Sequence, residues 1–166
     1  HGGEIGVESQ EGKGSKFWFT IPNRHAPIKK NEISTYESIV NSEFPTNRSI
    51  LVVEDNQTNL DMIKYLLSIH KHKVHVARNG KEAITQAELK KPDLILMDIR
   101  MPIMDGLEAT KTLRAKSLFS KTPIIALTAS AGEDTREDSL NAGCTDHISK
   151  PIQSTELFEA LSRYMK

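Results

Sequence analysis

Leu94-Ile95-Leu96-Met97-Asp98-Ile99-Arg100-Met101-Pro102-Ile103-Met104-Asp105-Gly106 decides the fold of this 166-residue chain. Four consecutive aliphatic residues, too few for a helix and without polar alternation, read as a strand buried on both faces. The run ends on a carboxylate, Asp98. Pro102 and Gly106 then punctuate a loop, and the stretch from Gly106 to Ser117, with Ala109 and Leu113 on one face, predicts a helix. A strand covered on both sides requires helices on both faces of a parallel sheet.

The same alternation extends outward in both directions. Ile50 to Val53, Val74 to Ala77, Leu94 to Met97, Ile124 to Leu127 and His147-Ile148 read as five core strands. Between and after them, helices are predicted over Gln57 to His70, Gly80 to Lys90, Gly106 to Ser117, Glu133 to Ala142 and Ser154 to Tyr164, each but the fourth with apolar residues at helical spacing. Five βα units joined by right-handed crossovers make an α/β fold, a doubly wound open sheet, for which 2-1-3-4-5 is a common strand order. No internal repeat or low-complexity tract interrupts it.

Ahead of this domain, which is expected to span 49–166, the pattern differs. Residues 1–22 alternate polar and apolar around Gly12-Lys13-Gly14, a hairpin signature, and Phe17, Trp18 and Phe19 would be costly to expose on a lone hairpin. The expectation is a remnant of a larger sheet. Residues 23–48, with Pro27, Pro45 and few apolar anchors, read as a linker, with a transient helical turn over 33–40. The first residue is His and no charged-then-apolar leader follows, so the chain is expected to derive from a longer parent.

Composition narrows the function classes. Apolar residues make up 37%, charged residues 27%, and mean hydropathy is -0.43, which argues against a membrane-spanning segment. Lys plus Arg and Asp plus Glu both number 22, and the balance holds on either side of Ser49, so no basic excess points to nucleic acid or an acidic bilayer. A lone cysteine, Cys144, excludes an internal disulfide and a paired-cysteine zinc site, consistent with a cytoplasmic setting.

In doubly wound sheets ligands sit beyond the carboxyl ends of the strands at the topological switch point, here between the first and third core strands. The first strand runs into Glu54-Asp55 and the third into Asp98, so three carboxylates should meet in one crevice. Left alone they repel; a hard divalent cation such as magnesium would compensate them. Thr128 and Lys150, after the fourth and fifth strands, add a hydroxyl and an ammonium suited to an anion. Taken singly, each acid also reads as a cap or turn residue, as Asp55 does before Gln57-Thr58. Five suitable residues at four strand ends are not explained by capping.

The segment from Ser49 to Lys166 resembles the receiver domain of two-component response regulators. The resemblance rests on Val53-Glu54-Asp55-Asn56 with Asn59, Leu96 to Gly106, Ala126-Leu127-Thr128-Ala129 and Ile148-Ser149-Lys150-Pro151. It implies a flavodoxin-like sheet of order 2-1-3-4-5 with helices on both faces. It also implies Asp98 as phosphoacceptor, Asp55, Asp98 and the Arg100 carbonyl as magnesium ligands with Glu54 acting through water, Thr128 and Lys150 as phosphoryl binders, and a cis Lys150-Pro151 bond. The partners implied are a histidine kinase phosphodonor domain and a histidine phosphotransfer protein in a phosphorelay. Residues 1–22, with Gly2-Gly3-Glu4-Ile5-Gly6-Val7-Glu8-Ser9, Gly12-Lys13-Gly14-Ser15 and Phe17-Trp18-Phe19, resemble the end of a histidine-kinase ATP-binding domain. The parent therefore resembles a hybrid histidine kinase, a family whose members include membrane-anchored ones, and this fragment is expected to catalyse only its own phosphorylation.

One departure concerns the switch. His147 stands where the family usually carries Tyr or Phe, the aromatic whose rotation accompanies movement of Thr128. Two other readings compete. A haloacid-dehalogenase-type phosphatase also uses a strand-end Asp and magnesium but needs a second Asp where Arg100 stands; a pseudo-receiver would bind partners without phosphorylation. His70, His72 and His75 read as a solvated edge rather than a metal site, and Cys144 as a half-buried apolar residue without a basic partner beside it.

Overall fold

The computed structural model describes residues 4–10, 14–19, 45–129 and 133–165, and divides the chain into two units, residues 1–41 and 42–166. The helical turn expected over 33–40 and most of the linker expected over 23–48 lie outside the described residues.

In the first unit, β1 (Ile5–Gln10) and β2 (Gly14–Phe19) pair antiparallel, with Gly6 opposite Trp18 and Val7 opposite Phe17. A Cβ at Gly6 would lie 2.3 Å from the Trp18 ring, so the indole covers that strand only because Gly6 has no side chain. Ile5, Val7 and Phe17 on the other face are 84%, 58% and 78% exposed.

The second unit runs β3 (Ser49–Val53), α1 (Gln57–Ile69), β4 (Lys73–Ala77), α2 (Gly80–Lys90), β5 (Leu94–Asp98), α3 (Gly106–Arg114), a 3-10 turn (Ser117–Phe119), β6 (Ile124–Thr128), α4 (Glu133–Asn141), β7 (Asp146–Ser149) and α5 (Ser154–Tyr164). Its five strands are all parallel, in the order β4-β3-β5-β6-β7, which is the 2-1-3-4-5 order of the core strands. The third helix is shorter than expected: it stops at Arg114, and a separate 3-10 turn seals Phe119 into the core.

The core forms because the aliphatic runs are buried on both sides. Leu51, Val53, Ile95, Met97, Ile124 and Ala126 pack with Ala83 and Ala87 of α2 and Ala109 and Leu113 of α3. The intervening Ile50, Val52, Leu94 and Leu96, also fully buried, point to the opposite face by the period-two alternation of a strand. There α1 buries Leu60, Ile63 and Leu67, and α5 buries Leu157, Phe158 and Leu161. No helix among the described residues is long and apolar enough to cross a membrane.

Two expectations about side chains need correction. His70 and His72 are not a solvated edge; both are buried, His70 edge-on to Phe158 of α5 at 4.9 Å between ring centroids and His72 accepting a hydrogen bond from the Arg48 amide at 3.3 Å. Burial holds both imidazoles below the ordinary histidine range. Cys144 does have a basic neighbour, Arg114, yet burial outweighs it and pushes the thiol up, toward an inert apolar role.

Candidate functional site

The acids arrive at the rim by strand length. β3 ends at Val53, and the Glu54 amide continues the ladder onto the Ala77 carbonyl at 3.1 Å, so Glu54 is fully buried and Asp55 is the first residue exposed. Asn56, not Asp55, caps α1, its side chain accepting from the amides of Thr58 and Asn59 at 2.9 and 3.2 Å. That relieves Asp55 of the capping role its position suggested. β5 carries Asp98 as its last residue, buried, and ligand atoms of Glu54, Asp55 and Asp98 all lie within 4.8 Å of one another.

A γ-turn shapes the loop that follows Asp98. The Met104 amide donates to the Pro102 carbonyl at 2.8 Å, and Ile103 between them has φ 73°, a conformation that strains a β-branched residue. The turn lets the Met104 carbonyl meet the Gly80 amide and the Gly106 amide meet the Ile99 carbonyl, both at 2.9 Å. It also brings α3 against the backbone of Asp98: a Cβ at Gly106 would lie 2.1 Å from the Asp98 carbonyl oxygen. Gly106→Ala must push helix and acid apart, and it is expected to cost about 1–3 kcal/mol. Chemical denaturation would read this as a lower midpoint at unchanged slope; an unchanged midpoint would show that the contact yields freely.

Lys150, which follows β7 and precedes a cis bond to Pro151, reaches into the acids. Its Nζ donates to Glu54 Oε2 and to Asp98 Oδ2, both at 2.7 Å. The other Glu54 oxygen accepts from the Asn56 amide and from Asn59 Nδ2, each at 3.2 Å, and the other Asp98 oxygen accepts from the Arg100 amide at 3.1 Å. Burial raises the Asp98 carboxyl above its ordinary range and the Glu54 charge adds to this, against the opposing pull of Lys150 and the Arg100 amide. Burial pulls the Lys150 ammonium down, but its bonds and charge interactions with Asp98 and Glu54 outweigh that and hold it up.

Three carboxylates thus cluster beside an ammonium that bonds two of them. This donor set is all hard oxygen with surplus negative charge, which fits a small divalent cation. Thr128 ends β6 buried beside this rim, and its carbonyl accepts from the Lys150 amide at 2.7 Å. His147 lies on β7 opposite Ala126, away from the acids, with Nδ1 3.7 Å from Asp146 Oδ1. The structure therefore brings together Glu54, Asp55, Asp98, the Arg100 amide and Lys150, sets Thr128 beside them, and leaves His147 outside. The sequence reading gave no role to Asn56 or Asn59, which hold Glu54. A polar side chain one turn into a helix that follows a buried acid was the available signal.

Residues 50–162 match the model of the response regulator receiver domain. Across 98% of its length the chain is 36% identical to the autoinducer 2 sensor kinase/phosphatase LuxQ of Vibrio vulnificus, covering 19% of that protein, so the chain spans about a fifth of that curated relative. Among solved structures it is similar to the receiver domain of the sensor histidine kinase PA1611 of Pseudomonas aeruginosa, described with magnesium in its active-site cleft. The TM-score is 0.68 at 39% identity, covering 72% of this chain and 98% of that one. It is also similar to a chain in the co-crystal structure of the Saccharomyces cerevisiae histidine phosphotransfer protein Ypd1 with the receiver domain of Ssk1. There the TM-score is 0.68 at 29% identity, covering 73% of this chain and 90% of that one.

Proposed function

This chain belongs to the response regulator receiver domain family, and we propose that residues 49–166 take a phosphoryl group from a phosphohistidine onto Asp98 and pass it to a histidine phosphotransfer protein. The observation that carries the reading is the cluster of three carboxylates, Glu54, Asp55 and Asp98, two of which are bonded by the Lys150 ammonium. Glu54, Asp55, Asp98 and the Arg100 carbonyl would hold magnesium, which when bound supplies positive charge opposite the oxygens of the transferring phosphoryl group. An Asp98 carboxylate oxygen forms the new O–P bond as the N–P bond to the donor imidazole breaks, and that nitrogen keeps the electron pair. Lys150 and Thr128 bind phosphoryl oxygens, and Arg100 orients the acceptor through its amide. In the reverse direction the same contacts deliver the group to the partner's histidine. Intact mass after incubation with magnesium and acetyl phosphate tests the reading: one added phosphoryl group is expected, and none in excess chelator.

The partner reading is supported by the receiver in the Ypd1–Ssk1 complex and by Met62, Tyr65 and Ile69, exposed large apolar residues that share one face of α1 by their spacing. A longer parent of the hybrid sensor kinase kind is supported by the LuxQ match, which extends over the first 48 residues as well. In that parent residues 1–22 would close the sheet of the ATP-binding domain. The phosphatase reading falls with the family assignment.

Phosphorylation is expected to act on β6, α4 and β7. Thr128 can follow a phosphoryl oxygen, and α4, with the acids Glu133, Asp134, Glu137 and Asp138 and only Leu140 among large apolar residues, has the least to hold it. Amide exchange with and without beryllofluoride should change across residues 128–150. Changes confined to the loops after Asp55 and Asp98 would show that Thr128 and His147 are not the switch.

A further inference from the structure

We propose that Arg78 is a positioning residue for the loop that carries Glu54 and Asp55, an inference that rests on the metal reading of those acids. The loop has a weak point. Glu54 is fixed by its amide, its buried carboxylate and Lys150, whereas Asp55 is exposed and precedes the first turn of α1. The helix ladder begins at the Asn56 carbonyl, which accepts from Leu60 at 3.0 Å, so the Asp55 carbonyl lies outside it.

Arg78 supplies the donor. One arm of its guanidinium, Nη1, donates to the Asp55 carbonyl at 3.3 Å, and the other, Nη2, donates to the Gln57 side-chain oxygen. The two acceptors flank the cap residue Asn56, so a single planar group spans the N-terminus of α1 from outside. Gln57 is held in turn by its Nε2 donating to Asp61 Oδ1 at 2.8 Å.

The base of this strut is firm. Arg78 directly follows β4, and its amide donates to Glu82 Oε2 at 2.8 Å. The next residue, Asn79, is buried, caps α2 through the Glu82 amide at 3.0 Å and donates to Glu82 Oε1 at 2.9 Å. The Arg78 amide and the residue after it are therefore both fixed to α2 before the side chain reaches across to α1. The strut ties the loop bearing Glu54 and Asp55 to the rigid end of the adjacent strand.

A positional role and a charge role predict opposite signs. Arg78 is a cation near a cation site, so losing its charge alone would tighten magnesium binding. Losing a support for a ligand loosens it, by about tenfold where such supports have been removed in metalloproteins. Lysine keeps the charge but lacks the fork needed to reach two acceptors.

The test measures magnesium affinity by calorimetry and metal-free amide exchange at residues 55–59 in the full chain, for Arg78→Met, Arg78→Lys and Gln57→Ala. Expected are affinity weakened about tenfold in both Arg78 variants, less in Gln57→Ala, and faster exchange at 55–59 without metal, all at an unchanged melting temperature. The double variant Arg78→Met with Gln57→Ala should lose no more than Arg78→Met alone. Unchanged or tighter magnesium binding in Arg78→Met, restoration by Arg78→Lys, or a large drop in melting temperature in all three variants overturns the inference. If the unsubstituted chain itself binds no magnesium, the metal reading fails instead, and the metal-free exchange still reports on the strut.

Discussion

Asp98→Asn is expected to take up no phosphoryl group under conditions that label the unsubstituted chain, and to melt at a higher temperature than it in excess chelator. The first effect follows from chemistry: an amide oxygen at position 98 is a far weaker nucleophile than the carboxylate. The second follows from the raised pKa of Asp98. An acid whose folded pKa is raised binds its proton more tightly in the native state, so its contribution to stability is present at low pH and lost as pH rises through the folded pKa. Near neutral pH the ionised Asp98 is a net cost, because burial and the Glu54 charge outweigh what Lys150 and the Arg100 amide return. Asparagine removes that cost while its oxygen still accepts from Lys150. Adding magnesium should reverse the order, since a ligand at a hundredfold excess over its Kd stabilises the native state by about 2.7 kcal/mol, and the variant has lost one carboxylate of the site. Mass spectrometry and thermal melts with and without magnesium check both halves. A labelled variant would place the acceptor elsewhere, and a variant that melts lower in chelator would show that the Lys150 pair outweighs the repulsion.

Arg114→Ala is expected to be the most destabilising single substitution outside the aliphatic core. From the last turn of α3 this side chain donates through Nε to the Gly143 carbonyl at 2.7 Å and through Nη1 to the carbonyls of Phe119 and Thr122. Through Nη2 it donates to the Thr145 hydroxyl at 3.3 Å. It thus joins the end of α3, the 3-10 turn, the entry to β6 and the turn before β7. Its stem also packs on Gly143, where a Cβ would lie 2.8 Å from the Arg114 Cγ. Removing it strands three half-buried carbonyls, a loss of about 2–4 kcal/mol, which for a domain of this size lowers the melting temperature by roughly 8–15 °C. Arg114→Lys should recover little, because one ammonium cannot reach acceptors on four sides of a planar fork. Recovery to within about 0.5 kcal/mol would mean that charge, rather than the fork, holds these turns.

The strand ends illustrate what a linear reading can reach. Glu54 and Asp98 were legible as residues of the candidate site because each terminates a run of aliphatic residues too apolar to lie anywhere but inside a parallel sheet, and such a sheet delivers all its carboxyl ends to one rim. Asp55 was legible as part of that rim, but its local role was not. Asp and Asn are both good caps, and only the extended backbone of Asn56, with its side chain on the Thr58 and Asn59 amides, decides between them. His70 and His72 looked solvated because the sequence around them is polar. Their burial comes from Phe158, eighty-eight positions beyond His70, and from the Arg48 amide ahead of β3.

The sequence by itself determined the class of fold, the five strand segments, and the convergence of Glu54, Asp55, Asp98 and Lys150, since burial and periodicity are local properties that add up along the chain. Only the tertiary structure decided which oxygen of Glu54 faces Lys150 and which faces Asn56 and Asn59, that Arg78 spans the start of α1, and that Arg114 gathers three carbonyls. These are pairings of long polar side chains with partners 21 to 31 residues distant in the cases of Arg78, with Gln57, and of Arg114, with Thr145. A flexible arginine has no periodicity to betray its partner. Its choice is made by whichever backbone acceptors the finished fold leaves without a donor within its reach.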